Sequence, residues 1–406
     1  MTPSSESDWS SEDIHRLLAP VVSELPQPTS LSDLAYDLNA GVPDRETLPA
    51  RDLAEAARRA LEADPAGTLT YGGSIGYEPL RAWIAEAQAA ETGLLLGPEH
   101  VTLTAGSAHA IDNIAAAFVA PGDVVVVGAP TYPGAIRTFK ARGARLVEVP
   151  QDDDGLRVDA LVAALEQQRA AGAPVKLIYV IANYDNPSGS TLPLDRRSDL
   201  TKLAAHHRVL VVEDDAYTGI DLDGPPPTSL FEVARGRGIL RAGTFSKTIA
   251  TGLRVGWVVG DALMIERLAF MRFDNGASPL MHRLVLEYLE SGAHEPHVER
   301  LRSLYRERRD ASAASLVEHC TPHVSFRLPS GGFFHWLHLG EGIDAMRLAE
   351  TAAKRGVAIT PGPGYFASPG GRDRVRLVYS ALPPEALHQA IALLGEALNE
   401  VASASS

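Results

Sequence analysis

The stretch VLVVEDDAY, Val209 to Tyr217, decides how this sequence is read. Four apolar residues run straight into three carboxylates, Glu213, Asp214 and Asp215, with no polar alternation. A short continuous apolar run of this kind suits a strand buried on both faces. Three successive carboxylates at its end are costly without a nearby cation. A metal is the rival explanation, but no His or Cys falls at ligand spacing nearby.

Outward from this run, the same pattern recurs. Val101–Leu103, Val124–Val127, Leu146–Val149, Leu177–Ile181, Ile239–Ala242 and Val255–Val259 are apolar, mostly β-branched, and bounded by turn signals. Between them, Val158–Ala171 and Leu194–His206 read as helices, as do Asp52–Ala63 and Pro79–Thr92 upstream. This alternation predicts an α/β fold, with a mostly parallel seven-stranded sheet between helices as a large domain over residues 49–290. Beyond it come a long charged helix (His294–Glu318), a strand (Val324–Leu328), a turn at Gly331–Gly332, a helix (Asp344–Arg355), a strand (Val375–Val378) and a last helix (Pro384–Glu400). That order predicts a smaller α+β domain over 291–406. The N-terminal segment 1–48 is expected to associate with it, with Ser11 capping a short helix through Leu17 and Leu18.

Composition narrows the function. The chain has 406 residues, with 37 Lys+Arg against 51 Asp+Glu and a net charge of −14. Polyanions are held by clustered cations, so nucleic acid is not an expected partner. No apolar stretch reaches membrane-spanning length. One cysteine, Cys320, excludes an intrachain disulfide and fits a reducing, cytoplasmic setting.

Open parallel sheets bind ligands at the C-terminal ends of their strands, and the polar residues just after each run form a constellation. Thr104–His109 turns from strand to helix through Gly106 and Ser107, a place where free N–H groups can meet an anion. Ala129–Gly134 carries Tyr132, able to stack on a planar ligand. Asn183–Gly189 carries Asn186, Glu213–Tyr217 carries Asp214, and Gly243–Thr248 carries Lys247 between Ser246 and Thr248, with Arg254 following. Alone, the Gly106–Ser107 turn reads first as a plain cap and Tyr132 as loop packing, while Lys247 lies between two apolar strands, where a solvated surface lysine is not expected. Together they fit pyridoxal phosphate: a lysine for the aldehyde, a carboxylate for the pyridine nitrogen, an aromatic over the ring, and hydroxyls with an arginine for the phosphate.

With these motifs in view, VTLTAGSAHAID, APTYPGA, NYDNPSG, VVEDDAY, GTFSKTIATGLRVGW and VRLVYS, the sequence resembles the fold-type I, class I/II aminotransferases, and among them the 2-aminoadipate aminotransferase-like group. The resemblance implies a homodimer that moves an amino group between an L-amino acid and a 2-oxo acid in amino-acid biosynthesis. It implies Lys247 as the aldimine lysine, Asp214 on the pyridine nitrogen, and Tyr217 with Asn186 on the phenolic oxygen. It implies Tyr132 on the ring, and Ser107, Ala108, Thr244, Ser246 and Arg254 on the phosphate. Arg376 is the implied clamp for the substrate α-carboxylate. Tyr71 is implied to reach the phosphate of the other subunit. Other reactions of the same cofactor, lyase, deaminase or cyclase chemistry, share these cofactor motifs and stand as the alternative. Phe333–Trp336 and Thr360–Gly362 are expected to line the substrate side, with His335 structural. Neither a second arginine for an acidic side chain nor an acid for a basic one stands out, although Asp37, Asp44 and Arg272 lie in suitable regions.

Overall fold

The structure, a computed structural model, describes residues 9–25 and 33–404. All seven apolar runs become strands of one sheet. Its order is Val101–Thr104, Gly256–Val259, Ile239–Thr244, Leu210–Asp214, Val175–Val180, Val124–Ala129, Arg145–Asp152, and an eighth, two-residue strand, Gly155–Leu156. This last strand folds back antiparallel on the 145–152 strand, pairing Asp152 with Gly155 and Gln151 with Leu156. The Gly256–Val259 strand runs antiparallel to both its neighbours, and the five strands from 239–244 to 145–152 are parallel.

Alternating side chains of a strand point to opposite faces, and here the two faces feed different cores. Val124, Val126, Ile178 and Val211 enter one apolar core, and Val125, Val127, Leu177, Tyr179 and Val212 enter another. Helices close both faces, among them Glu78–Thr92 on the first side and Ser107–Phe118 on the second. Two-sided burial is why these strands carry no polar alternation.

A third core gathers the C-terminal elements. Helices His294–Cys320 and Pro384–Ser403 pack on an antiparallel sheet in the order Val324–Ser325, Phe334–Leu339, Arg374–Val378, Thr360–Pro361. Residues 36–38 of the N-terminal segment join them: Tyr36–Asp37 pairs in parallel with Val357–Ala358, and Leu38 is fully buried in this core. The helix Val21–Glu24 instead contacts the helix Pro133–Ala141 beside the large sheet, and residues 1–8 and 26–32 of the segment lie outside the described residues. Three local expectations shift. Ser10, not Ser11, caps the first helix, Ser11–Leu17, because its side chain accepts from Asp13 N while Asp13 reaches back. The strand expected over Val324–Leu328 stops at Ser325. The seven-strand sheet gains the short edge strand already described.

The parallel order brings the C-terminal ends of the 124–129, 175–180, 210–214 and 239–244 strands to one edge of the large sheet. The chain from Asn39 to Val42 and the Arg374–Val378 strand close over that edge from the other side.

Candidate active site

A cavity of about 410 Å³ opens at this edge. Ser107, Tyr132, Asn186, Asp214, Tyr217, Lys247 and Arg376, each expected from the sequence, line it together. Thr244, Ser246 and Arg254 sit behind it, beside the Ala105–Ser107 turn. Thr244 Oγ1 and Ser246 Oγ are 2.8 Å apart, and Arg254 Nη2 donates to Ala105 O at 2.7 Å. Gly106 has φ +88°, open to glycine and strained for other residues, and a Cβ there would fall 2.6 Å from Arg254 Nη2. The helix Ser107–Phe118 has no side-chain cap, so its first backbone N–H groups are free for an anion. Ala108 lies in that first turn but does not line the cavity. Tyr71 is 85% exposed and is absent from its own chain's cavity.

Asp214 is buried at the end of its strand. Tyr179, one strand over, donates to Asp214 Oδ2 at 2.6 Å, while Oδ1 has no hydrogen-bond partner among the described residues. Burial pushes this carboxyl up to about 6, a rise the Tyr179 hydrogen bond limits. Lys247 Nζ donates to Gly41 O at 2.8 Å and lies 5.8 Å from the Tyr217 ring centre. Burial lowers it to about 8, with Arg376 and then Arg254 adding to the effect and Asp214 opposing it. Burial also raises the Tyr132 and Tyr217 phenols. Arg376 Nη1 donates to Asn186 Oδ1 at 3.0 Å and Nη2 to Asn39 O at 2.5 Å. Its guanidinium lies 4.4 Å from the Phe334 ring centre and 5.3 Å from that of Tyr365.

The three successive carboxylates have separate partners. Glu213 accepts from the backbone N–H of Leu230 at 2.7 Å and Phe231 at 3.0 Å. Asp215 pairs with buried Arg241, whose Nε lies 2.8 Å from Oδ2, and it also accepts from Thr218 Oγ1 and Asn183 Nδ2. The cation that the sequence demanded is therefore a protein side chain, which leaves Asp214 for the cavity.

Other expectations on the substrate side change. Of Phe333–Trp336 only Phe334 lines this cavity: His335 alternates to the opposite face of the strand, and Trp336, on the same face as Phe334, packs edge-on against Tyr365 at 5.5 Å. His335 is fully buried and bonds Ser312 Oγ at 2.7 Å, a structural position. Thr360–Gly362 does not line the cavity; Tyr365 just beyond it does. Asp44 pairs with Arg308, Arg272 with Asp274 and Leu103 O, and Asp37 accepts from Asn39 N, so none of the three faces the cavity. Sequence reasoning missed Tyr179, the Asn39–Val42 segment and Arg137. Tyr179 had a signal: a phenol inside an apolar strand needs a buried partner.

The residues fit one group. A buried carboxylate oxygen without a partner faces the same cavity as a lysine and a tyrosine, with an arginine and two hydroxyls behind. That is the donor set of pyridoxal phosphate. The sequence model for aminotransferase class I and II matches residues 35–394. The chain belongs to the class I and II aminotransferases. The 2-aminoadipate transaminase of Thermus thermophilus is 32% identical over 404 residues, covering 98% of this chain and 98% of that protein. Aromatic-amino-acid aminotransferase 1 of Thermococcus litoralis is 32% identical over 381 residues, covering 93% of this chain and 91% of its own length. The kynurenine aminotransferase of Pyrococcus horikoshii, solved in complex with PMP, superposes with a TM-score of 0.89 at 30% identity, covering 96% of this chain and 98% of that one. This aminotransferase is a pyridoxal-phosphate-dependent transaminase.

Proposed function

We propose that this aminotransferase acts on an L-amino acid and a 2-oxo acid through Lys247, with Asp214 and Arg376 setting the two ends of the site. The observation that carries this assignment is that a lysine, an unpartnered buried carboxylate and an arginine held by Asn186 line one cavity. Pyridoxal phosphate supplies an aldehyde and a ring that withdraws electrons from the substrate Cα. Lys247 holds it covalently and, once free, moves a proton at Cα; a lowered amine pKa suits that task. Asp214 Oδ1 accepts from the pyridine N–H, and Tyr179 keeps the carboxylate ionised. Tyr217 and Asn186 bond the phenolic oxygen, and Tyr132 covers the ring. Ser107, the Ala108 N–H, Thr244, Ser246 and Arg254 hold the phosphate. Arg376 grips the α-carboxylate with its planar fork, a geometry that lysine lacks.

Residues 49–290 serve as the cofactor-binding domain, and the described part of 291–406 with the stretch 36–48 as the smaller one. The separate C-terminal core supports this division. The enzyme works as a homodimer, with Tyr71 reaching the neighbouring phosphate; the exposure of Tyr71 and of Phe273 (87%) supports it. Its setting is the cytoplasm and its role amino-acid biosynthesis; a single cysteine, free and buried, supports a reducing compartment. No helix among the described residues is long and apolar enough to cross a membrane. A single turnover with each candidate amino acid tests the reaction. Conversion of the cofactor to pyridoxamine phosphate with release of one 2-oxo acid is expected. Ammonia release with the aldehyde form regenerated would sink the assignment of Lys247 to transamination.

A further inference from the structure

The cavity wall carries three cationic side chains, Arg137, Lys247 and Arg376, against one carboxylate, Asp214. In the reading above, Lys247 and Asp214 belong to the cofactor, and Arg376, braced by Asn186 and Asn39, belongs to the α-carboxylate. Arg137 is left over. It stands on the helix Pro133–Ala141, one turn after Gly134, and residues three apart share a helix face. Both line the cavity. A Cβ on Gly134 would fall 2.4 Å from the Tyr132 ring, so the helix begins flush against that ring. Arg137 is then the first charged side chain on the face turned to the cavity.

Its neighbours are satisfied. Lys140 donates to Ala367 O at 2.9 Å, and Arg142 grips Asp112 at 2.7 and 2.8 Å. Half-buried Arg137 has no hydrogen bond or ion pair with any described residue. We propose that Arg137 reads a second anionic group on the substrate: the side-chain carboxylate of a dicarboxylic amino acid and of the matching 2-oxo diacid.

The charge balance of the wall supports this. A neutral side chain would leave a partly desolvated guanidinium unpaired, which is unfavourable. A carboxylate gives it a charge-assisted, fork-shaped contact. The phosphate is not a competitor for Arg137: the arginine beside the Gly106 turn is Arg254, which does not line the cavity. The inference rests on the aminotransferase reading of the same site, and its test separates the two.

The holoenzyme is assayed in half-reactions with three matched pairs: aspartate and 2-aminobutyrate, glutamate and norvaline, 2-aminoadipate and norleucine. The best diacid should exceed its monoacid partner in kcat/KM by about tenfold or more, corresponding to about 1.4 kcal/mol. Arg137→Gln should lower that ratio at least about tenfold, and Arg137→Lys should restore part of it. Glutarate should bind the wild-type holoenzyme more tightly than pentanoate, a measurement that needs neither turnover nor a variant. A wild-type ratio below tenfold, a smaller fall in Arg137→Gln, or equal binding of glutarate and pentanoate overturns the proposal. Absence of any half-reaction with any amino acid would overturn the underlying aminotransferase reading instead.

Discussion

Replacing Tyr179 with Phe removes one hydroxyl from the floor of the site and keeps the ring that packs edge-on against Phe139 at 5.8 Å. That hydroxyl donates to Asp214 Oδ2 at 2.6 Å. A hydrogen bond to a charged group contributes about 1.5–3 kcal/mol, and one pKa unit is about 1.36 kcal/mol. Loss of the bond should therefore lift Asp214 above its value of about 6 by about one to two units. The sign follows from the bond's preference for the ionised carboxylate. The assay is the affinity of the apoprotein for pyridoxal phosphate across pH, wild type beside Y179F. Titrations of the cofactor itself are common to both proteins and cancel in the ratio. Well above pH 8 both proteins hold Asp214 ionised, and their affinities should converge. Well below pH 6 the variant should bind about ten- to a hundredfold more weakly, since proton and cofactor compete for the same carboxylate. A deficit that is the same at every pH would refute the reasoning and reduce Tyr179 to a packing residue. So would the absence of any deficit in a variant with unchanged circular dichroism.

Four further outcomes are expected. Uptake of the aldehyde by apoprotein needs the neutral Lys247 amine, so its rate should rise with pH and level off above about 8; a plateau only near the ordinary lysine value of about 10.4 would contradict burial as the cause. Gly106→Ala should push Arg254 aside and weaken binding of pyridoxal phosphate while sparing pyridoxal, as read by parallel titrations; equal losses would remove Arg254 from the phosphate. Arg376→Lys should raise KM for the amino acid about tenfold or more, because one ammonium cannot copy a two-pronged contact; an unchanged KM would free Arg376 from that role. Arg241→Met should strand the buried Asp215 charge beside Glu213 and destabilise the fold by about 3–5 kcal/mol in chemical denaturation; a loss under about 1 kcal/mol would mean the pair carries little.

The sheet was legible because its strands are buried on both faces. Val124–Val127 must then be apolar at every position, since Val125 and Val126 enter different cores. The edge strand Gly155–Leu156 is too short to leave a pattern. The apolar periodicity does not single out the helices Pro133–Ala141, Ala262–Phe270 or Pro279–Glu290. Phe326–Leu328 has strand-like chemistry but no ladder partner, and the strand ends at Ser325. In the site, Asp214 and Lys247 were findable because strand ends mark ligands in open sheets. The bonds that complete it were not. Lys247 meets Gly41, 206 residues away, and Arg376 meets Asn186 across 190.

By itself the sequence determined the α/β sheet, the cofactor chemistry and the residues at the strand ends, since each is written in a local pattern of apolar runs and turns. Only the tertiary structure decided how the cations divide. Arg241 answers the acidic cluster, Arg308 pairs with Asp44, Arg376 is braced by Asn186, and Arg137 is left facing the cavity. An arginine's role depends on which carboxylate or carbonyl folding brings beside it and on how much water remains around it, and neither is a property of its neighbours in the chain.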